Sequence, residues 1–281
     1  GAIRIINTED DFFTSASIEV KLKGMSEVVK IASIAPTYVR KIPFLIPNPS
    51  VLKEGETVTA TLYLKDKNNV VIDTTSISLD VKSKYNHHKN TFLSNIDHSV
   101  QYYSVAPSLT RDKDNQAMFL SVHGASVEAV NQANAYKQKD WGHIVAPTNR
   151  RPFGFAWEDW GRLDALEVLE EASNLYKSDS QHTYLTGHSM GGHGTWYLGA
   201  TYPDKFAAIA PAAGYPDLLD YRHSFTRSLN DEQVQQRFGM SLTDFKQKIT
   251  PKFNNTTEEQ LNTIIKRAGN TSRTLELKEN Y

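Results

Sequence analysis

The chain has 281 residues, 39% hydrophobic and 22% charged, the balance of a globular protein and not of a disordered or fibrous one. Lys and Arg number 31 against 32 Asp and Glu, a formal net charge of −1, so the basic excess of a nucleic-acid binder is missing. A mean hydropathy of −0.49, with no apolar run approaching roughly 18 residues, excludes a helical membrane span. The absence of cysteine excludes disulfide scaffolds, thiolate zinc sites and cysteine nucleophiles. The chain opens Gly1-Ala2 without an initiator Met, which reads as a processed or engineered start; the compartment stays open, with a secreted or periplasmic protein weakly favoured.

Residues 1 to about 90 read as all-β. Ser17–Leu22, Val58–Leu64 and Ser76–Val81 alternate apolar and polar residues, which puts one face on a core and the other in water. Asp66-Lys67-Asn68-Asn69 is a polar turn between two such runs, and Pro36, Pro43, Pro47 and Pro49 argue against helix in the second quarter. Several short strands in so few residues suggest a small immunoglobulin-like sandwich, although the Cys…Trp…Cys pattern is missing. Lys82–Asn90 reads as a solvated linker. Its His87-His88 pair is not expected to bind metal, because adjacent residues of an extended chain point opposite ways and no carboxylate cluster lies nearby.

The rhythm then changes. Val100–Val105, Ala117–Val122, Ile144–Pro147, Thr183–Thr186 and Phe206–Ala210 read as strands. Between them, Leu163, Leu166, Leu169, Ala172 and Leu175 or Tyr176 follow helical spacing, and Gly192–Tyr202 can be a helix. Strands alternating with helices imply βαβ units and a mostly parallel sheet. Past Tyr215 no strand is evident. Capping boxes at Ser241–Asp244 and Thr256–Glu259 make this tail mostly helical.

Gly187-His188-Ser189-Met190-Gly191 matches G-x-S-x-G, a pattern that arises by chance in roughly one chain in ten of this length. Its context makes it specific: a strand precedes it and a small-residue helix follows, the setting of a nucleophile elbow. The flanking glycines are needed because the turn is too tight for side chains and holds the serine in a strained conformation. Ser189 would then be the nucleophile. The N–H of Met190 and that of Gly124 or Ala125, in the loop after the third strand of the sheet, would receive the oxyanion.

These motifs, together with Arg151–Phe155, Trp157–Gly161 and Tyr202-Pro203-Asp204-Lys205-Phe206-Ala207-Ala208, resemble the prolyl-oligopeptidase-like branch of the α/β-hydrolases over about residues 95–215. The resemblance implies a serine peptidase working through an acyl-enzyme on Ser189, without cofactor or metal, on a peptide or acyl-ester substrate. The implied architecture is an α/β-hydrolase-like sheet, incomplete at its C-terminal end, preceded by the β-sandwich. Domains would run 1–90 (accessory sandwich), 91–214 (hydrolase core) and 215–281 (helical segment). A polysaccharide-linked carboxylesterase, and a non-catalytic binding module with an inert hydrolase half, are the alternatives.

The sequence departs from the family after the elbow. In that family an acid follows the seventh strand and a histidine the eighth, yet no such strand follows Phe206–Ala210 and the last histidine is His223. The expectation is a chain cut short before its triad partners and therefore nearly inactive. A triad of Asp217 or Asp220 with His223, and a natural pseudoenzyme, are the rival readings. An incomplete sheet also predicts association between copies.

Trp157, Trp160 and Arg151 are candidate walls of a substrate pocket, with packing roles as the alternative for the tryptophans and ion pairs with Glu158 or Asp159 for Arg150 and Arg151. His123 and His193 read as structural, His188 as packing in the turn, and Asp159 and Asp164 as complements to the N-terminal dipole of the helix they open.

Overall fold

Period-two alternation marks three of the six strands in the first ninety residues, those over Ser17–Leu22, Val58–Leu64 and Ser76–Val81, and leaves the other three unread. In the computed structural model, which describes residues 1–215 and 231–249, the six are β1 (Ala2–Ile6), β2 (Ser17–Leu22), β3 (Met25–Lys30), β4 (Val39–Pro43), β5 (Thr57–Lys65) and β6 (Val71–Asp80). Every pairing among them is antiparallel: a four-stranded sheet in the order β3-β2-β5-β6, and a β1-β4 pair. Ile18, Val20 and Leu22 of β2 and Val58, Ala60 and Leu62 of β5 point the same way and are buried with Ile42 and Phe44. The Asp66 turn is closed by its own carboxylate, which accepts from Asn68 N at 2.9 Å and Val70 N at 2.8 Å. Only the first part of the expected linker is irregular, because His88–Asn90 already belong to the next strand.

The second sheet comprises β7 (His88–Leu93), β8 (Val100–Ala106), β9 (Ala117–Val122), β10 (Gly142–Ala146), β11 (Thr183–His188) and β12 (Ala208–Ala212), in the spatial order β12-β11-β9-β10-β8-β7. The three pairings among β12, β11, β9 and β10 are parallel, and those of β8 with β10 and β7 are antiparallel. This is a mixed, mostly parallel sheet of the α/β-hydrolase type. β10 is buried along its whole length and β9 nearly so, which explains their continuous apolar sequences.

Three helices accompany the sheet: α1 (Ala129–Asn134), α2 (Asp159–Tyr176) and α3 (Met190–Thr201). The buried face of α2 carries Gly161, Asp164, Ala165, Val168, Leu169, Ala172 and Tyr176, whereas Leu175 is exposed. The expected stripe is met at Leu169, Ala172 and Tyr176, with Leu163 and Leu166 half-buried and Leu175 exposed, and the buried face extends to the smaller Gly161, Ala165 and Val168. Val122, Leu185, Met190, Leu198 and Trp157 join this core.

Residues 1–214 form one unit and 215–281 another. In the second, α4 (Asp231–Phe238) and α5 (Leu242–Ile249) are described. The capping box at the start of α5 forms, Ser241 Oγ accepting from Asp244 N at 3.1 Å. Asp217, Asp220, His223 and the Thr256–Glu259 box lie outside the described residues. Among the described residues no helix is long and apolar enough to cross a membrane.

Candidate active site

The parallel strands deliver their C-terminal ends to one edge of the sheet, where ligands bind in folds of this kind. β11 ends at His188, and α3 begins at Met190, so Ser189 alone makes the turn. Its backbone is left-handed, φ 58° and ψ −118°, a costly region for an L-residue. Two hydrogen bonds hold it there: Ser189 N donates to Ala212 O at 2.9 Å, and Ser189 O accepts from His193 N at 3.1 Å. Gly191 is required sterically, because a Cβ there would overlap the carbonyl oxygen of Val122 at the end of β9. Ser189 is half-buried at the N-terminus of α3, whose dipole favours negative charge.

The loop after β9 lies against the elbow. A Cβ built on Gly124 would stand 3.7 Å from Ser189 Cβ and 3.2 Å from His188 O. Gly124 and Ser189 are thus neighbours, and the exposed Ala125 follows. His123 is fully buried, with Nδ1 2.9 Å from Gly124 O and Nε2 3.0 Å from Thr148 O. His188 is exposed at the strand end, not packed into the turn. His193 Nε2 lies 2.8 Å from Glu158 Oε1.

Three expected pocket residues part company. Trp157 is fully buried beneath the loop, its Nε1 donating to His123 O at 2.9 Å, so it cannot line a substrate pocket. Trp160 is 37% exposed, its ring 5.7 Å below the Arg150 guanidinium. Arg151 is exposed and stands over the Phe155 ring at 5.0 Å. Arg150 pairs with Asp97, Asp164 and Glu167 at 3.2–3.4 Å, and with neither Glu158 nor Asp159. Asp164 Oδ2 accepts from Thr148 N and Oγ1, both at 3.1 Å. Burial pushes the Asp164 carboxyl above its usual range against the pull of Arg150 and these bonds. Spacing alone could not have found this network, since its members lie 53, 14 and 17 residues from Arg150.

The fold and elbow place this chain among proteins with the α/β-hydrolase fold and a serine at the elbow. More particularly, a family model described as "Putative esterase" matches residues 126–263, just under half of the chain. Over 169 residues the chain is 32% identical to an uncharacterized secreted protein of Arthroderma benhamiae, covering 53% of this chain and 18% of that protein. Over 72 residues it is 35% identical to an S-formylglutathione hydrolase of Paracoccus denitrificans, covering 24% of this chain and 25% of that one. A solved ferulic acid esterase superposes with a TM-score of 0.41 and 18% identity over 48% of this chain and 63% of the other. The chain spans a quarter or less of the length of the two curated relatives.

Proposed function

We propose that the chain carries the nucleophile elbow of a carboxylic-ester hydrolase. Ser189 Oγ attacks the ester carbonyl carbon, and the negative charge on the carbonyl oxygen is received by Met190 N–H and by Gly124 or Ala125 N–H. The C–O bond to the alcohol then breaks, the alcohol leaves with the proton that Ser189 Oγ gave up on attack, and water cleaves the acyl–serine bond, its hydroxyl going to the acid and its proton to Ser189 Oγ. The observation that carries this reading is the left-handed backbone of Ser189 between strand and helix, a strain that exposes a hydroxyl at a helix N-terminus. The ester is preferred over the peptide bond because the family model is described as an esterase and the S-formylglutathione hydrolase relative is named for an acyl thioester, and neither is named for a peptide bond. Trp160 and Arg151 remain the proposed contacts to the acyl or alcohol group. Strands β1–β6 are proposed as an immunoglobulin-like accessory domain, and the half-exposed Phe119–Trp141–Tyr184 cluster, near β12 at the end of the sheet among the described residues, as a contact between copies.

The test uses the full chain and a fluorophosphonate probe, with the adduct mapped by mass spectrometry, alongside an activated aryl ester, an acylated polysaccharide and a prolyl anilide. Slow labelling at Ser189 that is lost in Ser189→Ala, with acylation by an ester faster than by the anilide, is the expected result, since among the described residues no histidine hydrogen-bonds the Ser189 side chain. An adduct at another residue, or faster reaction with the anilide, would overturn the reading. A monomer by light scattering at high concentration would end the proposed self-association.

A further inference from the structure

An N–H group serves an oxyanion only if its peptide plane faces the right way. In a trans peptide the C=O and N–H point in opposite directions, so whatever holds the carbonyl aims the amide. The carbonyl of the His123–Gly124 peptide is held by Trp157, whose Nε1–H donates to His123 O at 2.9 Å across 34 residues of sequence. The next carbonyl, Gly124 O, accepts from Val127 N at 3.2 Å. Neither Gly124 N–H nor Ala125 N–H donates to any of the described residues. The loop beside Ser189 is therefore anchored through its carbonyls and leaves both amides unspent.

The indole is itself fixed from every side. It is fully buried and meets the His123 ring edge-on, 4.8 Å between centroids at 68°. Gly194 of α3 lies flat against it, where a Cβ would overlap the ring. Trp157 N donates to Asn149 Oδ1 at 3.2 Å. The loop that delivers it is strained: Asn149, Arg150, Ala156 and Trp157 all have positive φ, between 50° and 68°. Side chains in so many left-handed positions persist only where the surroundings over-determine them. Plain core packing would need a large apolar residue here, not a donor aimed at one carbonyl.

We propose that Trp157 is a positioning residue: its indole N–H locks the His123–Gly124 peptide with the Gly124 amide turned toward the oxyanion of an acylating Ser189. The assignment rests on the ester-hydrolase reading above.

The test compares Ser189 acylation, read by mass spectrometry, with a p-nitrophenyl ester and its thiono analogue in the full chain. A developing thiolate is a weak hydrogen-bond acceptor and gains little from amide donors. Trp157→Phe keeps an aromatic ring and removes the donor. Acylation by the oxo ester should fall about 10- to 100-fold, since losing one oxyanion donor outright costs about 10²–10³, while the thiono rate stays nearly level. Equal loss on both substrates, or no loss on either, would overturn the proposal. Should Trp157→Phe fail to fold, the benzothienyl analogue of tryptophan at 157, sulfur in place of N–H, preserves the shape. An independent readout uses [15N]glycine-labelled protein: the Gly124 amide should exchange faster or double in the variant, with Gly24 and Gly55 unchanged. An unaltered Gly124 amide would refute the lock even if activity changed. Wild-type protein with no Ser189 acylation by any ester would instead refute the function, leaving the amide measurement to decide the lock.

Discussion

Arg150 Nε lies 3.2 Å from Asp164 Oδ1, an ion pair whose acid is fully buried and whose guanidinium is 8% exposed. The same guanidinium reaches Asp97 and Glu167, so one cation ties the turn after β7 to α2 and to the strained loop that follows β10. Breaking a buried pair by removing one partner leaves the other charge stranded and costs about 3–5 kcal/mol. Arg150→Met should therefore lower the unfolding free energy by about that amount in urea melts. Adding Asp164→Asn to it should restore part of the loss. Equal stability of Arg150→Met and wild type would show that the pair is solvated after all.

The imidazole of His143 is buried, with Nδ1 accepting from Ser108 N at 3.1 Å and the Tyr176 ring 4.4 Å away. Burial lowers its pKa to about 4, helped by the nearby Arg111 charge. Between that value and the unfolded value of 6.5, the unfolded chain binds a proton that the folded one does not. Stability from this group is complete above about pH 6.5 and is lost as the pH falls toward about 4, by roughly 3 kcal/mol in all at 1.36 kcal/mol per unit. Urea melts from pH 7.5 to 4.5 should show the slope, and His143→Gln, which keeps an acceptor but cannot charge, should flatten it.

Left-handed backbone at Ser189 reverses the usual ranking of glycine and alanine. Glycine in place of alanine normally destabilises, but at positive φ alanine carries a penalty of about 1–2 kcal/mol that glycine escapes. Ser189→Gly should be more stable than Ser189→Ala by about that amount in thermal melts, and neither should take the fluorophosphonate. The opposite order would mean that the elbow relaxes once its hydroxyl is gone.

Gly191 has no space for a side chain between α3 and the Val122 carbonyl. Gly191→Ala must shift the start of α3 and with it Ser189. Overpacking of this kind costs about 1–3 kcal/mol, and Ser189 labelling should slow by a larger factor than the melting temperature suggests. Normal labelling kinetics in a folded Gly191→Ala would show that the elbow tolerates the displacement.

What could be read from the sequence alone was local. The elbow is contiguous: Thr183–His188, Ser189 and Met190–Thr201 are a strand, a turn and a helix in unbroken succession, so the motif carries its own geometry. Strands β2, β5 and β9 were legible because alternation, or an unbroken apolar run, reports burial on one face or two. What only the tertiary structure decided involves partners far apart in the chain. The sequence left Trp157 between a pocket wall and a packing residue, and only the fold supplies His123 O as the partner of its indole N–H. Arg150 could meet any nearby acid, and packing selects Asp97, Asp164 and Glu167. Packing alone decided that Tyr176 and not Leu175 closes the buried face of α2, a choice that the helical spacing of Leu169 and Ala172 left open because it depends on how the end of the helix meets the sheet and not on the sequence of either element.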